Sequence, residues 1–168
     1  MKASFETVYD ENFKYIYNYL YSQTLHRETA EDLSMDVFVR AMEHYEGYDP
    51  EKASVRTWLV TIARNCLINH LKAAKIRRAE NIEDVPEPGC TDDYGFRQDA
   101  ITAEVERILS QLIPADRELL VMRYMMEMDN QAISAVVGMD PKTVSQKIIR
   151  LLKKCQKLTD SRELLGED

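Results

Sequence analysis

The segment from Ser54 to Ala79 contains six Lys and Arg residues and no acidic residue, although the whole chain has a net charge of −7. The basic residues accumulate towards its end, which reads HLKAAKIRR. Lysine and arginine side chains neutralise phosphates, and a neighbouring carboxylate would repel the same anion. This uneven distribution of charge predicts a phosphate-binding surface on an otherwise acidic protein.

A second acid-free segment runs from Lys142 to Lys157 and also contains six basic residues. Gly138 and Pro141 precede its helical pattern; glycine permits a left-handed turn, and proline suits the first turn of a helix. The pattern predicts a helix-turn-helix, whose second helix enters a major groove. There Gln, Arg and Lys can read base edges, while Ser and Thr can hold phosphates. The groove-facing residues are Lys142, Thr143, Ser145, Gln146, Lys147, Arg150 and Lys153.

The remaining reactive residues form neither a catalytic nor a metal-binding pattern. Cys66, Cys90 and Cys155 are far apart and make no CxxC pair, which indicates a reducing compartment rather than a disulfide framework or zinc site. The three histidines have no HExxH spacing, and no nucleophile–base arrangement or phosphate-cradling glycine loop occurs. We expect no enzymatic activity, no cofactor and no metal.

Membrane insertion is not expected either. The chain has no signal-peptide pattern and no apolar run of membrane-spanning length. The sequence therefore predicts a soluble, cytoplasmic protein.

Apolar residues recur at spacings of three and four, which predicts an all-α fold. The first helix is expected from Phe5 to about Leu25. A second should begin near Glu28, where Thr29 and Asp32 give an N-terminal signal, and end near Tyr45.

GYDP at 47–50 should break the chain before a third helix capped by Ser54. Two prolines and six acids predict a flexible acidic linker at 80–97. Helical periodicity resumes near Gln98, and a further helix should follow Pro114. The expected organisation is two small helical domains, 1–79 and 98–160, joined by the linker and followed by a tail at 161–168.

Two separate blocks resemble one protein family. The block AEDLSMDVF…TWLVTIARN…KIRR, from Ala30 to Arg78, resembles the second region of bacterial RNA polymerase sigma factors of the extracytoplasmic-function (ECF) group. The block from Leu109 to Leu158 is similar to their fourth region. This resemblance implies a protein that binds core RNA polymerase and recognises two promoter elements, one near the start site and one upstream. It also implies help in melting the nearer element.

The resemblance assigns residues to these tasks. The docking helix on polymerase would contain Asp32, Leu33, Asp36, Val37, Phe38 and Arg40. The nearer element would be bound by Arg56, Thr61, Arg64, Asn65, Asn69, Lys72, Lys75, Arg77 and Arg78, together with the loop before the third helix. Among these, Asn65 is the candidate for contact with a flipped base, and the basic residues would hold phosphates.

Trp58 belongs to an apolar stripe with Val55, Leu59, Ile62 and Cys66, which predicts that its indole lies in the core rather than stacking on bases.

Other interpretations stay open at this point. A charged helix face can be merely solvated, and a helix-turn-helix protein can regulate transcription as a dimer without recruiting polymerase. The stretch VMRYMMEM, at 121–128, is either ordinary core or an adaptable Met-rich surface. Part of that surface is a candidate site for an anti-sigma factor, including one held in a membrane.

Overall fold

A computed structural model of the chain describes residues 2–80 and 100–164, with side chains at 2–80 and 103–160. Within these ranges every regular element is helical, which confirms the predicted all-α class. The chain forms two compact units, 1–96 and 97–168. Apart from Glu80, the predicted linker at 80–97 lies outside the described residues. No helix in the described ranges is both long and apolar enough to cross a membrane.

The first unit is built from three helices. They are α1 (Phe5–Thr24), α2 (Arg27–His44) and α3 (Val55–Glu80), with a short 3-10 turn at Tyr45–Gly47. Helix α1 packs on α2, and α3 packs against both. Fully buried side chains at the contact include Ile16, Leu20, Val37, Leu59 and Val60. The apolar spacing of each helix therefore produces one shared core.

Helix α2 begins one residue earlier than its sequence signal predicts. Its cap is His26, whose Nδ1 accepts a hydrogen bond from the backbone N–H of Thr29 at 3.2 Å. The expected signal from Thr29 and Asp32 is thus wrong in detail, because an imidazole nitrogen takes the part usually played by a hydroxyl or carboxylate oxygen. Leu25 separates α1 from α2 in the left-handed region, with φ 51°.

Helix α3 begins as predicted, with Ser54 Oγ accepting a hydrogen bond from the Thr57 N–H at 3.2 Å. Its buried face is rotated from the predicted stripe. The buried residues are Leu59, Val60, Ala63, Cys66 and Leu67. Val55, Trp58 and Ile62 are only partly covered, because the stripe chosen from the sequence follows one edge of the contact.

The second unit is organised around its last helix. Its elements are α4 (Ala100–Ser110), α5 (Pro114–Leu120), a π turn (Val121–Met125), α6 (Asn130–Val137) and α7 (Pro141–Leu164). Helix α7 contacts α4, α5 and α6. It continues to Leu164, four residues into the segment expected to be a tail.

The stretch DRELLVMRYMMEM does not form the single helix predicted for it. After Leu120 the chain widens into the π turn, where the Met126 N–H bonds the Val121 carbonyl at 3.0 Å. Glu127 then adopts a positive φ of 53°. Met122, Met126 and Met128 are buried, whereas Tyr124 and Met125 are exposed, so three of the four methionines of VMRYMMEM belong to the core and part of the stretch remains surface.

Candidate nucleic-acid interface

Hydrogen bonds of polar groups fix the start of α6 and the turn that follows it. Asp129 Oδ1 caps α6 by accepting a hydrogen bond from the Ala132 N–H at 2.8 Å. Helix α6 ends at Gly138, which has φ 77° and donates its N–H to the Ser134 carbonyl at 2.9 Å. The Ser134 hydroxyl in turn donates to the carbonyl of Met139. The predicted helix-turn-helix is therefore present, and its turn is closed by these hydrogen bonds.

Helix α7 starts at Pro141, and Asp140 Oδ1 accepts a hydrogen bond from the Lys142 N–H at 2.9 Å. Its buried face contains Val144, Ile148 and Leu151. Leu152 is apolar too, but it is 43% exposed. One residue corresponds to a rotation of about 100° on a helix, so Leu152 points away when Leu151 points inward.

The predicted groove-facing residues of α7 are presented to solvent. Ser145 is half-buried, and the others are exposed: Lys142, Thr143, Gln146, Lys147, Arg150 and Lys153. No acidic side chain interrupts this face between Lys142 and Lys157. The surface therefore offers both the donors that read bases and the cations that hold phosphates.

The last ten residues of α3, from Leu71 to Glu80, form a basic, solvent-facing end of the helix. All of them are exposed except Ala74, which is half-buried. The exposed set includes the predicted phosphate ligands Lys72, Lys75, Arg77 and Arg78. Burial and the charge of Arg77 lower the pKa of the neighbouring His70, which favours its neutral form.

Polar side chains continue along α3 towards its start. Thr61, Asn65 and Asn69 are exposed and lie four residues apart, so they form one line on the helix. Arg64 is half-buried beside them. This line leads into the basic end of the helix, where the exposed Ile76 lies among the cations.

Arg56, which was expected to hold a phosphate, is exposed and also makes contacts within the fold. Its Nε donates a hydrogen bond to Asn12 Oδ1 at 3.2 Å, and its guanidinium lies 4.4 Å from the ring centroid of Tyr15. Asn12 is buried and donates its own amide N–H to the Val8 carbonyl at 2.8 Å. Arg56 therefore joins α3 to α1, a role that no local sequence signal indicates.

Trp58 is half-buried in an aromatic cluster that the sequence analysis did not identify. Its ring centroid lies 4.8 Å from that of Tyr48 and 6.1 Å from that of Tyr45. The Tyr48 hydroxyl donates to the Ala53 carbonyl at 2.8 Å, which spans the loop before α3. Burial, with Tyr45 and Asp49 nearby, raises the pKa of Tyr48, so this hydroxyl stays protonated and able to donate. The two closely spaced tyrosines of the segment YEGY are the sequence feature that could have indicated this cluster.

The predicted polymerase-binding residues, all on α2, fall into an exposed group and a buried group. Asp32, Asp36 and Arg40 are exposed, whereas Leu33, Val37 and Phe38 are at most 5% exposed. The second group fills the core against α1 and α3. Asp32, Asp36 and Arg40 are therefore the members of the predicted set that a partner can reach on the folded domain.

Exposed apolar residues accompany the charges on α2. Met35, Val39 and Met42 are 51%, 48% and 58% exposed. Beside them a groove of about 500 Å³ runs between α2 and α3 and is lined by Asp36, Val39, Arg40, Glu43, His44, Ile62 and Asn65. Exposed apolar side chains rimmed by charges are typical of a surface that binds another protein.

Two of the three cysteines lie in the described residues, and both are free thiols. Burial raises the pKa of Cys66 and of the half-buried Cys155, which keeps both protonated and weakly reactive near neutral pH. In the ranges with described side chains, no group of His, Cys, Asp and Glu is arranged to hold a metal ion.

Comparison with known protein families matches both units. Residues 8–76 match Sigma-70 region 2, and residues 102–155 match Sigma-70, region 4. The chain is an ECF-type RNA polymerase sigma factor. Sigma factors are non-catalytic subunits of RNA polymerase, so the protein is not an enzyme. Its region 2 contains α1 to α3, and its region 4 contains the helix-turn-helix.

Curated relatives of similar length support this assignment. The sigma factor is 28% identical to RNA polymerase sigma factor YlaC of Bacillus subtilis over 167 residues, which cover 96% of each chain. It is 26% identical to ECF RNA polymerase sigma factor SigM of the same organism, covering 91% of this chain and 93% of SigM.

Solved structures share the fold. The sigma factor RpoE of Bartonella quintana, in complex with the anti-sigma factor NepR, superposes with a TM-score of 0.79 at 16% identity, and 98% of each chain is covered. CnrH, in complex with the cytosolic domain of CnrY, gives a TM-score of 0.69 at 23% identity, covering 94% of this sigma factor and 88% of CnrH.

Proposed function

We propose that this sigma factor divides its work among three helices. Helix α2 docks on core RNA polymerase, α3 with the 48–54 loop binds the nearer promoter element, and α7 binds the upstream element. The observation that carries this proposal is the pair of exposed, acid-free helix faces, one in region 2 and one in region 4. Both provide the local positive charge that phosphate binding requires.

For the upstream element, α7 is the reading helix. Gln146 and Arg150 are both exposed one turn apart on α7, and Gln and Arg side chains can hydrogen-bond to base edges. Lys142, Lys147 and Lys153 hold phosphates, and Thr143 and Ser145 add hydroxyl contacts to the backbone.

For the nearer element, the polar line on α3 is the contact surface. Asn65 reads an unstacked base, and Thr61, Arg64 and Asn69 contact the adjacent backbone. The exposed end of α3, with Lys72, Lys75, Arg77 and Arg78, holds phosphates. Arg56 contributes chiefly by fixing the start of α3 against α1.

For polymerase, the docking surface consists of the exposed charges Asp32, Asp36 and Arg40 with the apolar Met35 and Val39 beside them. Charges at the rim guide the encounter, and the apolar side chains bury area on binding. The protein acts in the cytoplasm, where core polymerase and promoter DNA are found.

An anti-sigma factor is the proposed regulator. Support comes from the two fold relatives described above, whose structures are complexes with NepR and with the cytosolic domain of CnrY. In such an arrangement the inhibitor would cover one or more of the three binding surfaces. A membrane-held inhibitor would need only its cytosolic part for this contact.

Run-off transcription tests the whole proposal. Purified core polymerase is combined with the full chain on genomic promoter fragments, and active fragments are retested with either element scrambled. We expect transcripts only with the sigma factor present, and a loss when either element is scrambled. Transcription that does not depend on the added protein would reject the proposal.

A further inference from the structure

The segment before α1 is attached to the end of α2. Lys2 Nζ donates hydrogen bonds to the backbone carbonyls of Tyr45 and Glu46, at 3.2 Å for Glu46. The same ammonium lies 4.3 Å from the centroid of the Tyr45 ring. In return, the Tyr45 hydroxyl donates to the Ala3 carbonyl at 2.5 Å. The contact therefore has donors on both sides and includes a cation over an aromatic face.

From Tyr45 the contact extends into the loop before α3. Phe5 packs edge-on against Tyr45, with ring centroids 5.4 Å apart. Tyr45 stacks on Tyr48 at 5.9 Å with an interplanar angle of 15°, and Tyr48 packs on Trp58. The Tyr48 hydroxyl donates a hydrogen bond to the Ala53 carbonyl near the other end of the loop. A displacement of Tyr45 would therefore move Tyr48 and affect both ends of the loop.

We propose that Lys2 is a positioning residue that holds the 48–54 loop in the conformation used at the nearer promoter element. This rests on the proposed function, which assigns that loop to promoter contact. The physical reason is that the carbonyls at the end of α2 carry partial negative charge, which the ammonium neutralises. It also fixes the ring of Tyr45, on which Tyr48 stacks. Without Lys2, the 48–54 loop would lose its fixed position.

Lys2→Met tests this role, because it keeps an apolar stem of similar length and removes the cation and its donors. Lys14→Met is the matched control, since Lys14 is an exposed cation on α1 of the same unit. Lys2→Arg retains charge, donors and cation–π contact and should restore function. Trp58, the only tryptophan of the chain, reports on the aromatic cluster in the free protein.

In the free protein, we expect acrylamide to quench Trp58 more strongly in Lys2→Met than in the wild type, Lys14→Met or Lys2→Arg. In the holoenzyme, permanganate footprinting should show opening of the nearer element reduced by about two- to fivefold in Lys2→Met, and by clearly less in Lys14→Met. Binding to core polymerase should stay unchanged in all variants. Circular dichroism checks the fold. If Lys2→Met loses helix, Tyr45→Phe, which removes only the hydroxyl bond to Ala3, takes its place.

The outcomes separate the two proposals. Unchanged Trp58 quenching would overturn the positioning role, whatever happens in transcription. Equal loss of opening in Lys2→Met and Lys14→Met would also overturn it, because Lys2 would then act only as a charge. If the wild-type protein opens no promoter, the proposed function is wrong, and so is the role of Lys2 in promoter opening. This holds even if acrylamide quenching of Trp58 shows that Lys2 orders the aromatic cluster.

Discussion

Arg56 and Asn12 are hydrogen-bonded to each other across the first unit, with Nε and Oδ1 3.2 Å apart. Asn12 is only 3% exposed, and the guanidinium of Arg56 also lies over Tyr15. Because these contacts join the first turn of α3 to α1, they help to orient α3 through a side chain that sequence similarity assigned to DNA.

Arg56→Ala should therefore lower the free energy of unfolding of the first unit by about 1–3 kcal/mol, since it leaves a buried amide oxygen without its donor. Urea unfolding followed by circular dichroism measures this. Lys72→Ala is the control: it removes an exposed cation from the same helix and should change stability by less than about 0.5 kcal/mol. A normal unfolding curve for Arg56→Ala together with weakened promoter binding would show that Arg56 is a DNA contact instead.

Gln146→Ala should weaken binding to the upstream element by about 1–3 kcal/mol and relax base preference at one position. Lys147→Ala, at the next residue, should weaken binding to all sequences alike. It should also reduce the slope of log K against log salt concentration by about one. Holoenzyme binding to a promoter series with single-base changes, at several salt concentrations, measures both effects. The groove assignment is wrong if Gln146→Ala keeps full selectivity.

Asp36→Ala should weaken binding to core polymerase by about 1 kcal/mol without unfolding the domain, because Asp36 is exposed on the proposed docking face of α2. Asp10→Ala removes an equally exposed acid from α1 and should leave binding unchanged. Leu33→Ala, three residues before Asp36, should instead cost about 2–5 kcal/mol of stability, because its side chain is buried. Pull-down of core polymerase combined with thermal unfolding distinguishes the two effects.

Glu127→Gly should stabilise the second unit by about 0.5–1 kcal/mol. Glu127 has φ 53°, a conformation that strains any residue with a Cβ atom. Gly138→Ala should act in the opposite direction, by about 1 kcal/mol, because Gly138 has φ 77°. Thermal unfolding of the two variants measures both changes. A lower melting temperature for Glu127→Gly would mean that contacts of the Glu127 side chain outweigh the strain.

The first unit should lose stability as the pH falls below the ordinary histidine pKa of 6.5. His70 has a lowered pKa in the folded protein, because burial disfavours the imidazolium and Arg77 repels it. The unfolded chain therefore binds the proton first, which favours unfolding in acid and has no effect above that range. His70→Gln should reduce the loss between about pH 7.5 and pH 5.5. An unchanged pH dependence of the urea midpoint in this variant would exclude His70 as a source.

Much of the fold follows from local patterns in the sequence. Ser54, Asp140 and Gly138 act where their residue types predict, because caps and turns depend on a few neighbouring residues. The exposed cations of α3 and α7 are also evident from charge alone. These features require no knowledge of tertiary packing.

Other features depend on packing between distant segments, which periodicity cannot supply. The sequence does not show that Arg56 meets Asn12 or that Lys2 meets Tyr45, because these partners are more than forty residues apart. The sequence pattern also predicts the wrong buried face for α3. Two neighbouring rows of apolar residues could each face the core, and packing against α1 and α2 determines which one does. The π turn at Val121–Met125 is missed for a similar reason: its extra residue brings Met126 and Met128 into the core.

Dissolved salt has two opposite effects on the exposed end of α3. From Leu71 onwards, about 15 Å of helix extends with little packing, so its helicity depends largely on its own residues. Lys72, Lys75 and Arg78 repel one another along one side, at three-residue spacing. Added salt screens that repulsion and favours the helix, but it also weakens attraction to DNA. In the proposed promoter complex, the phosphates would relieve this repulsion, so the DNA and the helix end would stabilise each other. The affinity for the promoter would then include part of the folding free energy of α3.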